Sequence, residues 1–242
     1  MIRAVFFDWS NTLARYIPPR EELQSQALRE FGINISPQKI ITGLSSADRY
    51  LFQESAASPI RLRSPAEQAK VYTHYQQMVL TEVGANIPTN SAIFPKLLNK
   101  LDELYKRLRF VLYDDVISSL KTLKAQGLIL ALVTNLDADM RPICRELGLA
   151  GYLDPIVTSS EVGAFKPQPR IFLMALQHAG VKASEAVHVG DQYDIDIAGA
   201  LGVGIQPILL DRYDLFPDIT DCPRIHSLSE VAQYLNPSTG SR

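Results

Sequence analysis

The chain has 242 residues, 46% of them hydrophobic, and its 24 Lys+Arg nearly balance 26 Asp+Glu to leave a net charge of −2. That length suits one large domain or a core carrying a smaller insert, and the composition can fill a real hydrophobic core. The balanced charge, without a basic run, gives no ground for a nucleic-acid partner, and apolar stretches such as Leu128 to Val133 are far too short to span a bilayer.

Met1-Ile2-Arg3 enters an apolar run at once, with no signal-peptide core or cleavage site, and the two cysteines, Cys144 and Cys222, form no disulfide framework; a cytoplasmic location is expected. Ile2 to Phe7 is nearly continuous in apolar residues, which predicts a strand buried on both faces. Residues 15 to about 110 then show no convincing strand. Helical patterns cover Glu21 to Phe31, Pro37 to Ala47, Pro65 to Val83 and Ser91 to Leu108. The third starts Ser64-Pro65-Ala66-Glu67, combining an N-cap serine, a first-position proline and a glutamate three residues after the cap. A helical insert of roughly 90 residues is therefore expected after the first strand.

From residue 111 onwards, strand and helix alternate. Strands are predicted at Ile129 to Val133, Pro155 to Thr158, Ala186 to Val189 and Gln206 to Leu210. Between them, helical patterns at Asp114 to Gln126, Ala138 to Leu147 and Pro169 to Ala179 end at Gly127, Gly148 and Gly180, the residue that stops a helix most cheaply. This alternation predicts an α/β fold with a parallel sheet and helices on both faces. The polar tail from Asn236 reads as loose.

Chemistry-bearing residues gather at the ends of these strands, where open α/β sheets place their ligands. Asp8 directly follows the first strand, and Asn11 is a plausible left-handed turn residue. Asp8 either projects its carboxylate from the sheet edge or caps a turn, and this segment alone does not choose. Thr134 and Asn135 follow the second buried strand and either bind phosphoryl oxygens or cap the next helix. Lys166 lies between Gly163 and a proline-pinned backbone at Pro167 and Pro169. Asp191 ends a strand and Asp196 lies about one helical turn further on, a placement that suits a hard cation or, more blandly, a helix dipole; Asp194 reads as a dipole acid.

In the order Asp8, Thr134, Lys166, Asp191, Asp196, the chain resembles the haloacid dehalogenase-like hydrolase superfamily along its whole length. Lys166-Pro167-Gln168-Pro169-Arg170-Ile171-Phe172 is very similar to that family's lysine motif. The resemblance implies a Rossmann-like catalytic core over residues 1–14 and 111–242, and an all-helical cap domain over residues 15–110. It implies a phosphatase acting on a small phosphorylated substrate, with Asp8 as nucleophile and an aspartyl-phosphate intermediate. Mg²⁺ would be held by Asp8, the main-chain carbonyl of Ser10, Asp191 and, directly or from the outer shell, Asp196. Thr134 and main-chain amides near Trp9 and Asn135 would bind the phosphoryl oxygens, and Lys166 would neutralise charge there.

One departure stands out. Phosphatases of this family usually carry a second aspartate two residues after the nucleophile, as general acid and base, and here that position is Ser10. Three consequences remain open: substrates with good leaving groups, a proton from another group, or a weak or inactive protein that binds a phospho-ligand. Dehalogenase-like and phosphonatase-like hydrolysis are the further alternatives. Dehalogenases dispense with metal, which the Asp191/Asp196 pair argues against, and Lys39 and Lys70 are Schiff-base candidates only by lying in the cap. Gln192 stands where the family often has serine, which changes local hydrogen bonding. His188 reads as a satisfied core histidine, and His74, His178 and His226 show no metal spacing. The Tyr72, Tyr75, Met78 series reads as helix packing, while Arg49, Arg61 and Arg63 either meet an anion or face solvent.

Overall fold

The structure is a computed structural model that describes residues 1–136 and 138–235; the tail from Asn236 lies outside the described residues. In chain order the elements are β1 (Ala4–Phe7), β2 (Ala14–Ile17), α1 (Arg20–Arg29), α2 (Pro37–Ala57), α3 (Pro65–Glu82), α4 (Ile93–Tyr105) and β3 (Arg109–Leu112). They continue with α5 (Val116–Ala125), β4 (Ile129–Thr134), α6 (Met140–Glu146), β5 (Ile156–Thr158), α7 (Ser159–Val162) and α8 (Pro169–Ala179). The last are β6 (Ala186–Gly190), α9 (Ala198–Leu201), β7 (Gln206–Leu210) and β8 (Arg224–Ile225). The chain divides into two compact units, Met1–Arg15 with Leu112–Arg242, and Tyr16–Val111.

In the first unit the apolar runs pair into one six-stranded sheet of order β5-β4-β1-β6-β7-β8, and every pairing is parallel. β1 is buried throughout because β4 and β6 flank it and helices surround the sheet, which is why its sequence is continuously apolar. Phe7 stands in register with both Leu132 and Val189, so β1, β4 and β6 finish at one edge. Phe6, Val133, Ile171 and Phe172 pack in the core beneath. Each such large side chain contributes about 1.5–3 kcal/mol on leaving water. The helix stops behave as their glycines predict, with φ of 78° at Gly127, 75° at Gly148 and 64° at Gly180. β8 is an addition, since two residues are too few to display a strand period.

The second unit is built on α1 to α4, around a core that includes Leu28, Ile40, Val79, Leu80, Phe94 and Leu97. The capping box at Ser64 forms as its sequence predicts: Glu67 Oε2 accepts from the Ser64 N–H at 2.9 Å, and Ser64 Oγ accepts from the Glu67 N–H at 3.4 Å. α2 runs ten residues past the expected end at Ala47. Nothing in residues 48–57 breaks a helix, and the stop comes at Ser58, which Pro59 holds extended at φ −160° and ψ 127°. α2 and α3 lie so close that a Cβ on Gly43 would meet the Val79 carbonyl at 2.9 Å.

Two expectations for this region need correction. It is not wholly helical: β2 and β3, which straddle its boundaries, form a two-stranded sheet. Tyr16 stacks on Phe110 with ring centroids 4.5 Å apart. Such a pair joins segments about ninety residues apart, and its four-residue strands carry too little alternation to be read locally. Tyr75 is also more than helix packing. Its hydroxyl donates to Asp48 Oδ1 at 2.8 Å, and Arg20 clamps Asp48 with contacts of 3.0 and 2.5 Å. Beside them Gln24 and Gln76 exchange amide hydrogen bonds of 2.9 Å, and Gln24 donates to Tyr105 at 2.8 Å. Arg63, in turn, is bound to Glu54 at 2.6 Å.

Removing one member of a buried charge pair leaves the other uncompensated. Asp48→Ala is therefore expected to destabilise the protein by about 3 kcal/mol. Urea unfolding checks this, and a midpoint matching the parent's would show that Arg20 finds another partner. Among the described residues no helix is long and apolar enough to cross a membrane.

Candidate active site

The common edge of β1, β4 and β6 carries Asp8, Thr134 and Asp191, each just beyond or at the end of a buried strand. The Asp8 N–H donates to the Val189 carbonyl at 2.9 Å, extending the ladder one residue past β1. The chain then turns tightly: Leu13 and Ala14 donate to the Trp9 carbonyl at 3.0 and 2.9 Å, and Asn11 donates to the Ala14 carbonyl at 2.8 Å. Asn11 adopts the expected left-handed conformation at φ 55°. Ser10 sits half-buried within this turn and forms a bridge with Ala14.

Lys166 is only 1% exposed, a rare state for lysine unless its charge is matched. Its Nζ donates to Asp8 Oδ1 at 2.5 Å and to Asp196 Oδ1 at 2.7 Å. The loop before α8 is held for this purpose by Asn135, whose side chain accepts from the Lys166 N–H at 2.7 Å and donates to the Lys166 carbonyl at 3.0 Å. Thus Asn135, expected to contact substrate, uses its side-chain amide to brace Lys166. Thr134 Oγ1 accepts from the Leu136 N–H at 3.2 Å, which leaves its own hydroxyl proton free to be donated elsewhere.

Asp196 does not stand one α-helical turn beyond Asp191. Residues Tyr193–Ile197 form a π-helical turn, which widens the backbone and brings the buried Asp196 carboxylate back under the strand end. There the Gln192 N–H donates to Oδ2 at 3.1 Å, and His188 Nε2 lies 3.0 Å from Oδ1. A Cβ on Gly190 would collide with the Asp196 carboxyl carbon, so only glycine fits beneath it. His188 is thus a core residue that serves the site, and as a satisfied one it needs correction: its Nδ1 meets no hydrogen-bond partner among the described residues.

The three carboxylates of Asp8, Asp191 and Asp196 each place an oxygen within 4.8 Å of the others. Burial, opposed by Lys166 and reinforced by the Asp196 charge, pushes the Asp8 carboxyl up to about 6. Burial and the charges of Asp8 and Asp196 drive Asp191 well above the usual carboxylate range. Burial acts on Asp196 too, but there Lys166 and the His188 hydrogen bond prevail and bring it down to about 2. Lys166 is held above its ordinary value because Asp196 and Asp8 outweigh its burial, whereas burial lowers His188 towards the neutral imidazole. One ammonium cannot neutralise three carboxylates. The surplus negative charge and the oxygen-only donor set fit a hard divalent cation.

Two supports lay beyond sequence reasoning. Asn11 Nδ2 donates to Asp191 Oδ2 at 3.1 Å. Arg212 donates to the Thr12 carbonyl at 3.0 Å while holding Asp115 at 2.9 and 3.0 Å, tying the turn after β1 to the start of α5. Neither contact, at separations of 180 and 200 residues, has a local signature.

Residues 2–204 match the family model described as haloacid dehalogenase-like hydrolase. Over 232 residues the chain is 30% identical to haloacid dehalogenase-like hydrolase domain-containing protein 3 of Danio rerio, covering 95% of this chain and 93% of that one. It is 30% identical over 219 residues to the glyceraldehyde 3-phosphate phosphatase of Methanopyrus kandleri, covering 88% and 85% respectively. Among solved structures it is similar to a 2-haloacid dehalogenase from Pseudomonas syringae pv. Tomato DC3000, with 27% identity, a TM-score of 0.56 and coverage of 97% and 98%.

Proposed function

The chain belongs to the haloacid dehalogenase-like hydrolase family, and from that premise we propose that it is a Mg²⁺-dependent phosphatase of small phosphorylated compounds. The observation that carries this reading is the buried Lys166, bonded at once to Asp8 and Asp196 beside Asp191. A phosphatase named among the relatives adds to it.

Asp8 is the nucleophile. Its carboxylate oxygen forms a bond to phosphorus while the bond from phosphorus to the leaving oxygen breaks, and that oxygen departs with the electron pair and takes up a proton. Water then attacks the aspartyl-phosphate at phosphorus, releasing inorganic phosphate and restoring the carboxylate. The Thr134 hydroxyl and the main-chain amides after Asp8 and Thr134 donate to the phosphoryl oxygens, and Lys166 offsets their charge. Asn135 positions Lys166. A bound cation would let the anionic carboxylate approach the anionic phosphate, and Asp8, the Ser10 carbonyl, Asp191 and Asp196 would hold it.

The test is a screen of phosphorylated metabolites for phosphate release, with Mg²⁺ and with EDTA, run alongside halide release from 2-chloropropionate. Mg²⁺-dependent phosphate release that EDTA abolishes is the expected result. Metal-independent halide release would instead assign the site to a carbon-centred reaction, and ligand binding without turnover of any phosphate would mark a binding protein.

A further inference from the structure

Asn11 carries two features that a single substitution separates. Its backbone is left-handed, φ 55°, a conformation that glycine adopts at lower cost than asparagine. Backbone geometry alone therefore does not call for an asparagine here. Its side chain explains the choice: Nδ2 reaches Asp191 Oδ2 at 3.1 Å, joining the turn after β1 to the end of β6. The other donors of the cluster are directed elsewhere. Lys166 serves Asp8 and Asp196, while the Gln192 N–H and His188 serve Asp196. Among the described residues, Asn11 is the side chain that donates to Asp191.

We propose that Asn11 is a positioning residue of the cation site, holding the Asp191 carboxylate in the orientation in which it joins Asp8 and Asp196 as a ligand. This rests on the reading of Asp191 as a metal ligand. Residues that orient metal-binding carboxylates by hydrogen bonding typically change metal affinity by about 10–100-fold when removed. The Asn11 amide acts on one ligand of the cation and touches no reacting atom, so its loss falls on metal binding first.

Asn11→Gly keeps the left-handed turn and deletes only the amide. Mg²⁺ binding to the purified full chain is measured by titration calorimetry, with Mn²⁺ paramagnetic resonance as a second readout, and the metal-free thermal midpoint is recorded for parent and variant. The expected result is Mg²⁺ binding weaker by about tenfold with a metal-free midpoint close to the parent's. The Mg²⁺ concentration for half-maximal phosphate release should rise by a similar factor, and kcat at saturating Mg²⁺ should fall much less. A variant that binds both ions as the parent does would overturn the proposal, as would a fallen midpoint with unchanged metal affinity, which marks a purely structural role. A parent that binds neither ion fails in a different way: it removes the metal reading of Asp191, and the role of Asn11 with it.

Discussion

Asp8→Asn is expected to lower kcat by at least about 10⁴-fold, a rise of roughly 5 kcal/mol in the barrier, the order that losing a covalent nucleophile produces. An amide cannot form the hydrolysable acyl phosphate, so no partial route through residue 8 survives. The fold should tolerate the change. Lys166 keeps its 2.7 Å bond to Asp196, and one of three mutually repelling carboxylates is gone. Metal-free stability should carry a pH signature of this relief. Burial, with Lys166 opposing and Asp196 adding, lifts Asp8 from 3.8 to about 6, so the folded state holds that proton more tightly than the unfolded chain. The resulting stabilisation is present below the ordinary carboxylate value and disappears as pH rises through about 6. Melting curves in EDTA should therefore show the parent losing stability relative to Asp8→Asn between acidic and neutral buffer. The neutral-pH midpoint of the variant should be no lower than the parent's. Retention of more than about a tenth of parental turnover would place the nucleophile elsewhere, since deleting a true one costs far more.

The convergence of Asp8, Thr134 and Asp191 was legible because it follows from strand physics. A strand buried on both faces reads as a short unbroken apolar run, as Val5, Phe6 and Phe7 do, and parallel strands must end at a shared edge. Any polar residue directly after such runs is brought near the others. Helix ends were legible for a similar reason, since Gly127 and Gly180 mark a local need for positive φ. The supports of the site have no such local cause. Lys166 meets Asp8 across 158 residues and Asn11 meets Asp191 across 180. Such partners depend on loop paths that no periodicity encodes. The π-helical turn at Tyr193–Ile197 belongs with these, because one inserted residue leaves the composition of a helix start unchanged. His188 looked like core because it is core, and only the folded backbone, by returning Asp196 beneath the strand end, sets its ring 3.0 Å from that carboxylate. Where a strand pair is as short as β2 and β3, long-range pairing decides the conformation and local propensity is silent.

Ser10→Asp is expected to raise turnover of alkyl phosphates by about 10²-fold, the low end of what general acid–base catalysis supplies, while acyl and aryl phosphates gain far less. The asymmetry follows from the leaving group. An alkoxide needs a proton as it departs, whereas a carboxylate or phenolate leaves without one, and a serine hydroxyl is too weak an acid to provide it. The turn should accept the new side chain, since main-chain bonds hold it: the Asn11 N–H to the Ala14 carbonyl at 2.8 Å, and Leu13 and Ala14 to the Trp9 carbonyl. A fourth carboxylate, two residues from Asp8 and added to a cluster with surplus negative charge, should itself titrate upwards. That places its proton where a general acid working near neutral pH requires it. The measurement is kcat/KM across phosphate esters of graded leaving-group acidity. The parent should lose rate steeply as the leaving group becomes more basic, and the variant should show a flatter dependence. Parallel dependences in a variant that melts like the parent would mean that the proton already comes from another group, and that Ser10 is no deficit.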